Sequence, residues 1–467
     1  MNSSLRGHYL LPYLVVSCSM ILLLFTLFSC KRVETLRPNA ETLNTHNTSL
    51  LSGTGKPNVI LILADDIGYE VPQVNGGTSY STPNIDAMAA EGMRFTQCRS
   101  SPLCSPSRFT FMTGKYNFRN YFDWGVMNPN EKTLATLFKN SGYKTLAAGK
   151  WQFDGGDASI RSLGFDDYSV WNPYEIASSG SQGSNYKNPK VYQNGNYLPE
   201  ADMLGKYSDD VFTDYVTNFI EANQNDNFFI YYATCLCHAP YSPTPDDPAF
   251  ATWDPTLRLN DTTYFSSMAR YMDKKVGEII NKLKELGLYE NTIVMFSGDN
   301  GTPHHIFSIV DSSAVEGGKG STTEGGIHVP LIVSWPNGIA QPGSVNNNLI
   351  DFPDILATCA DAADANVSSF GTLDGISFYN QLLNQTYTPR PWSYNYYNPH
   401  TNSGNNTLRE WVQDAVYKLY YTKNGTYKFY NVVADPNEEN PIKKRSMTTA
   451  EKTIYNNFKT ILASTGP

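Results

Sequence analysis

Asn58-Val59-Ile60-Leu61-Ile62-Leu63-Ala64 runs without interruption into Asp65-Asp66. Far downstream, Asn291-Thr292-Ile293-Val294-Met295-Phe296-Ser297-Gly298 runs the same way into Asp299-Asn300. Unbroken aliphatic and β-branched runs of this length predict strands buried on both faces, hence a parallel sheet covered by helices. In open sheets of that kind, ligands sit beyond the carboxyl ends of the strands. Two such ends deliver the carboxylates of Asp65, Asp66 and Asp299 and the amide oxygen of Asn300 to one edge. Oxygen donors of this sort suit a hard cation, calcium or magnesium. The other reading is that each pair caps the turn or helix that follows it.

Outward from these two runs the pattern repeats. Phe228-Phe229-Ile230-Tyr231-Tyr232-Ala233 is a third apolar run, and it leads to His238-Ala239-Pro240. Helical spacing predicts connections over Ser81–Glu91, Thr133–Asn140, Asp209–Ala222, Thr263–Leu286 and Asp351–Ala362; the fourth carries Met268, Tyr271, Val276 and Ile279 at helix-like intervals. Ser178–Asn196, rich in Gly, Ser, Asn and Tyr, reads as a long loop at a substrate mouth. Beyond about Gly375, Val416–Tyr421 and Thr426–Val432 read as strands joined across Lys423-Asn424-Gly425, where Asn-Gly signals a hairpin. A helix over Thr448–Ala463 follows. The fold expected is therefore α/β, a large central, mostly parallel sheet flanked by helices over residues 56–375, with a smaller C-terminal α+β subdomain over 376–467. No internal repeat is visible.

With 467 residues the chain can bury a large core, and its formal charge of -9 argues against a nucleic-acid partner, which would want a basic surface. Arg6 and His8 precede an apolar stretch from Tyr9 to Phe28, and Leu27-Phe28-Ser29-Cys30 resembles a bacterial lipoprotein signal. That implies a signal peptide over 1–30, lipidation of Cys30, a flexible tether over 31–55 and an exported protein of the bacterial cell envelope, held in the membrane by its lipid. An uncleaved membrane anchor is the alternative, and it too exports the catalytic region. Cys235-Leu236-Cys237 is spaced too tightly for a zinc knuckle and reads as a buried thiol pair on a strand; no disulfide framework follows from the spacings.

Cys104-Ser105-Pro106-Ser107-Arg108, followed by Phe109-Thr110-Phe111-Met112-Thr113-Gly114, resembles the signature of the formylglycine-dependent sulfatase family. The resemblance extends from about Lys56 to Pro441. It takes in Thr82–Phe95, Ala148-Gly149-Lys150-Trp151, His238-Ala239-Pro240, Gly317-Gly318-Lys319-Gly320, Glu324–Pro330, Tyr417-Lys418-Leu419-Tyr420 and the turn at Asp435-Pro436. It implies an alkaline phosphatase-like fold and hydrolysis of an O-sulfate ester, on a sulfated oligo- or polysaccharide. Cys104 would be oxidised to formylglycine by a maturation enzyme that reads Pro106 and Arg108 in the unfolded chain, and its hydrate would attack sulfur. Asp65, Asp66, Asp299 and Asn300 would hold Ca2+ (or Mg2+), which also touches residue 104. Arg108 would turn inward to support the hydrate, and Phe109 to Thr113 would form a helix with its amides toward the sulfate. Lys150 and Lys319 would bind the sulfate group, Lys319 also the ester oxygen; Asp299 would withdraw a proton, and His238, whose unperturbed pKa is near 6.5, or Lys319 would assist the leaving alcohol.

One departure stands out. The family carries histidine two positions after the first lysine, whereas this chain has Gln152, which can hydrogen-bond sulfate or the diol but cannot accept a proton at neutral pH. Another base must then release sulfate, and His304-His305, just past the second metal pair, are candidates for contacting substrate. Two other functions share parts of the pattern: a phosphodiesterase or phosphonate hydrolase of the same superfamily, and a non-catalytic glycan-binding surface lipoprotein.

Overall fold

Alternation of side chains along Asn58–Ala64 (β1) explains why this strand must be central. Val59, Leu61 and Leu63 enter one apolar core, and Ile60, Ile62 and Ala64 enter another on the opposite face. In the first core β1 meets Phe109, Met112, Ile355 and Leu356; in the second it meets Phe212, Val216, Met268 and Val276. Burying side chains of this size is worth about 2 kcal/mol each, so both helical layers are needed. The computed structural model describes residues 55–171, 173, 185–399, 408–422 and 425–466. The expected signal peptide, Cys30, the tether, part of the Ser178–Asn196 segment and Lys423-Asn424 lie outside the described residues.

The remaining strands of the large sheet are Met93–Arg99 (β2), Lys144–Lys150 (β3), Asp167–Trp171 (β4), Val191–Gln193 (β5), Asn196–Tyr197 (β6), Phe228–Ala233 (β7) and Thr292–Gly298 (β8). Phe307–Val310 (β9) and Ser313–Glu316 (β10) form a separate hairpin, and His328–Ser334 (β11) and Ser344–Asp351 (β12) complete the sheet. Its order is β12-β2-β11-β8-β1-β7-β3-β4-β5-β6. Five of the nine pairings are parallel, and these include every pairing among β8, β1, β7, β3 and β4. Ser393–Tyr397 (β13), Arg409–Gln413 (β14), Tyr417–Tyr421 (β15) and Tyr427–Asn431 (β16) make a four-stranded antiparallel sheet against which the Thr449–Thr465 helix packs. Both sheets belong to one compact unit. Among the described residues no helix is long and apolar enough to cross a membrane.

The expected helices form as Pro83–Glu91, Leu134–Asn140, Ser208–Ala222, Phe265–Glu285 and Pro353–Ala362. Thr133 accepts from the Thr136 amide as an N-cap, and Thr448 makes a capping box with Glu451, which explains those starts. Three expectations need correction. The helix expected from Phe109 begins at Cys104, because the extended Leu103 ends the preceding loop there. The end of the presumed Ser178–Asn196 loop is the β5–β6 hairpin, turned at Asn194-Gly195, both with positive φ. Cys235 and Cys237 lie beyond the end of β7, on either side of Leu236, with a cis bond between Leu236 and Cys237; both thiols are free and buried.

Candidate active site

Parallel register brings four strand ends to one rim. Ala64 pairs with Gly298 and Gly149 with Ala233, so Asp65-Asp66, Asp299-Asn300, Lys150 and the Cys235–His238 turn all emerge together. The turn is tied to β1 by two backbone bonds, Asp65 to the Leu236 carbonyl at 2.9 Å and Cys237 to the Asp65 carbonyl at 2.7 Å. Gly149, at φ 89°, passes so close to β7 that a Cβ would lie 1.9 Å from the Ala233 carbonyl oxygen; only glycine lets Lys150 follow there.

Cys104 opens the Cys104–Thr113 helix, placing its thiol and the first-turn amides at the same rim, a favourable place for an anion. Its Sγ and carboxylate oxygens of Asp65 and Asp299 lie within 4.8 Å of one another; Asp65, Asp66 and His238 make a second such group. Asp66, in the left-handed region at φ 61°, receives the Asn300 amide on Oδ1 at 2.8 Å. The Asp66 amide donates to Asp299 Oδ1 at 3.0 Å.

Three cations face these acids. Arg108 is fully buried, and its Nε and Nη2 reach Asp299 Oδ2 at 3.0 and 2.8 Å, while Nη1 donates to the Lys150 carbonyl and to the Tyr231 hydroxyl oxygen, both at 3.3 Å. Lys150 Nζ lies 2.5 Å from Asp65 Oδ2, and Lys319 Nζ lies 2.7 Å from Asp66 Oδ2. Burial pushes the Asp65 carboxyl up, but Lys150, His238, Arg108 and Lys319 together hold it well below the usual carboxylate range. Burial and the Asp65 charge raise Asp299 to about 6 against the pull of Arg108. Burial raises the Cys104 thiol as well. For Lys319 burial works downward, yet the nearby acids, Asp66 first, lift it well above the ordinary lysine value.

The acids fit a hard cation on their own geometry. Asp65 Oδ1 and Asn300 Oδ1 are buried without a hydrogen-bond partner among the described residues, an arrangement that costs free energy unless something positive meets them. Together with Asp66 and Asp299 they form an all-oxygen donor set.

The other expected residues divide. His238 lies at the rim with Nδ1 at 2.5 Å from the Ala239 carbonyl and Nε2 4.0 Å from Asp66 Oδ2. Burial, then Lys150 and Lys319, push its imidazole down to about 4, so in this arrangement it is neutral at neutral pH. Gln152 follows the buried Trp151, is partly exposed, and holds φ 69°. His304 and His305 are exposed on the loop after Asn300; His305 lies 5.6 Å from the Tyr241 ring, and neither joins the acid cluster.

Sequence reasoning missed the support of the Lys319 loop. Lys418 (β15) donates to the Thr322 carbonyl, Tyr420 reaches Thr322 at 2.9 Å, and Gln413 (β14) reaches Glu324 at 3.0 Å. Glu324 also pairs with Arg99 at 2.6 Å. Lys418, set between aromatic and apolar neighbours in Tyr417-Lys418-Leu419-Tyr420, was the available sign of a buried lysine needing partners.

Comparison with known proteins agrees with this geometry. A family model described as Sulfatase matches residues 57–365, and one described as N-sulphoglucosamine sulphohydrolase, C-terminal, matches residues 319–464. N-acetylgalactosamine-6-sulfatase of Mus musculus is 30% identical over 376 residues, covering 72% of this chain and 68% of its own. An arylsulfatase of Hemicentrotus pulcherrimus is 30% identical over 397 residues, covering 78% and 69%. The structure of Ps i-CgsB in complex with k-i-k-neocarrahexaose shares the fold, with TM-score 0.70 and 23% identity over 88% of this chain and 92% of that one.

Proposed function

The chain belongs to the sulfatase family of the alkaline phosphatase superfamily and is a sulfuric ester hydrolase; from that premise we propose that it removes an O-sulfate group from a sulfated carbohydrate, with residue 104 as nucleophile. The observation that carries this reading is the convergence of Cys104, three carboxylates and two lysines on one sheet edge. The carbohydrate is supported by the relative named for N-acetylgalactosamine 6-sulfate and by the fold shared with the k-i-k-neocarrahexaose complex.

Matured to formylglycine, residue 104 supplies an oxygen nucleophile that a thiol raised by burial does not. A calcium or magnesium ion held by Asp65, Asp66, Asp299 and Asn300 supplies Lewis-acid charge beside that nucleophile. Arg108 anchors Asp299 and fixes its carboxylate toward residue 104. Lys150 and Lys319 carry positive charge at the same rim and stand where a sulfate group would lie. Fixed donors of this kind contribute on the order of 3 kcal/mol each to a transition state. His238 or Lys319, both beside Asp66 at the rim, assists the departing alcohol. Asp299, held beside residue 104 by Arg108, is the carboxylate that would withdraw a proton in place of the histidine that Gln152 replaces. Export and lipidation at Cys30 remain part of this proposal, supported by the Leu27-Phe28-Ser29-Cys30 run.

The test is to produce the protein with and without a formylglycine-generating enzyme and to weigh the peptide spanning residue 104. Sulfate release should track the aldehyde content, and Cys104→Ala should lower kcat by about three orders of magnitude or more. Full turnover by a protein that keeps the Cys104 thiol would sink the reading.

A further inference from the structure

We propose that a second, anion-selective subsite lies beside the His238 turn, in the cleft lined by Lys187, Pro240, Ser242, Trp253, Thr256 and Arg258, and that it takes a negatively charged sugar unit neighbouring the one that bears the scissile ester. The proposal rests on the sulfatase reading above and names its substrate class: an oligosaccharide carrying at least two anionic groups.

The cleft has a volume of about 300 Å3, at the lower end of ligand pockets and suited to one ring rather than a chain. It shares a wall with the active-site rim. Tyr186, which also lines it, donates its hydroxyl to the carbonyls of Cys235 at 2.8 Å and His238 at 2.5 Å. Pro240 follows two residues after His238.

The cleft is built in advance. Lys187 Nζ donates to the carbonyls of Phe250, Ala251 and Trp253 at 2.7, 3.1 and 2.9 Å, clipping the far wall to the near one. The loop is closed at its base by Tyr241 and Asn260, amide to side-chain oxygen at 2.8 Å. Asp254 is occupied by the amide and hydroxyl of Thr256, at 2.9 and 2.6 Å.

Its chemistry points to an anion. The lining holds two cations and no carboxylate, in a chain whose formal charge is -9. Lys187 is committed to three carbonyls, but Arg258 has no ion-pair partner among the described residues and is exposed. Its backbone sits in the left-handed region at φ 47°, ψ 36°, a conformation costly for a non-glycine residue. A planar guanidinium of this kind matches a carboxylate or sulfate in two-point fashion. Ser242 gives an independent sign: it is 6% exposed, its Oγ has no partner among the described residues, and it lines the same cleft. A buried hydroxyl left so is unfavourable unless a ligand or water meets it. Trp253 adds an indole wall suited to a sugar ring.

The experiment is calorimetry on calcium-loaded Cys104→Ala protein, which cannot consume its ligand, with three disaccharides. One joins a uronate to a hexosamine 6-sulfate, one carries a sulfate on each ring, and one carries a single sulfate and no second anion. At least one dianionic disaccharide should bind ten-fold or more tighter than the monosulfated one, and the arm that gains identifies carboxylate or sulfate as the second anion. Arg258→Gln should collapse that ratio toward one, with Arg258→Lys restoring part of it. Equal affinity for all three, no binding of any, or a ratio that survives Arg258→Gln would overturn the subsite. Turnover of the same disaccharides by matured protein separates the two claims. An Arg258-dependent preference without sulfate release defeats the hydrolase reading and leaves the subsite standing. Release without that preference does the reverse.

Discussion

His328 illustrates what a partly buried titratable side chain does outside the reacting centre. Its ring stacks on Tyr69 at 4.1 Å, its Nε2 lies 2.9 Å from the Thr96 carbonyl, and Nδ1 lies 3.9 Å from Glu324. Burial, then the Arg99 charge, push the imidazole down to about 3 although Glu324 pulls upward. The unfolded chain, with an ordinary value near 6.5, binds a proton that the folded one refuses between those limits, so stability rises with pH through that window and falls as the solution is acidified below about 6.5. His328→Gln, which keeps a donor for Thr96, should flatten the slope of denaturant-derived stability between pH 6.5 and 4; an unchanged slope would refute the assignment. At this scale the catalytic candidates were legible because each sits in a short motif at a strand end. What stayed hidden was the direction of the shifts. Burial together with Lys150 and Lys319 pushes the His238 imidazole downward, and no local pattern announces that. His304 and His305 follow Asn300 in sequence and are exposed on the loop that leads to the β9–β10 hairpin, outside the acid cluster itself.

Among elements, the sheet rim and the C-terminal strands act together. Lys418 is fully buried, lies 4.9 Å from the centres of the Trp411 and Tyr420 rings, and pairs with Glu438 at 2.9 Å while donating to Thr322. The loop it holds carries Lys319 and packs backbone to backbone on the metal-side loop: a Cβ at Gly301 would lie 1.8 Å from the Gly325 carbonyl oxygen. Lys418→Met should leave Glu438 buried and unpaired, at a cost of about 3 kcal/mol or more. It should also lower kcat at temperatures where the protein remains folded, and Lys418→Arg should recover part of both. Lost stability with unaltered turnover would show that the strands do not position Lys319. β1, β7 and β8 could be read in advance since both their faces are buried and the sequence is apolar throughout. β5 and β6 could not be read by hydrophobicity, as Asn196 and Tyr197 are exposed; the Asn194-Gly195 turn was the available cue. The start of the Cys104 helix was obscured by Pro106, which favours the first helical position but here stands third.

For the molecule as a whole, the acids at the rim couple folding to cation binding. Asp65 Oδ1 and Asn300 Oδ1 are buried without a hydrogen-bond partner among the described residues, and a bound cation would satisfy both. Adding calcium to chelator-treated protein should therefore raise the unfolding temperature, by an amount equivalent to about 2.7 kcal/mol at a hundred times its Kd. Asp65→Asn should remove most of that gain. No thermal shift with calcium or magnesium would exclude a divalent ion from these ligands. The two-layered α/β plan and the separate antiparallel sheet were foreseeable from apolar runs and the Asn-Gly cue. The long-range clamp between β14–β15 and the Lys319 loop was not, because its members are far apart in sequence and none is unusual alone.

The depth of Cys104 sets an order of events during synthesis. Cys104 is only 3% exposed at the rim of the folded chain, so an enzyme that must enclose this segment to alter the thiol would act before β1, β8 and the Arg108 helix have docked. The strands that steady Lys319 are among the last to leave the ribosome. The delay between these moments is the interval in which the nascent polypeptide can be chemically completed, and a mutation that hastens folding of the first half would shorten it.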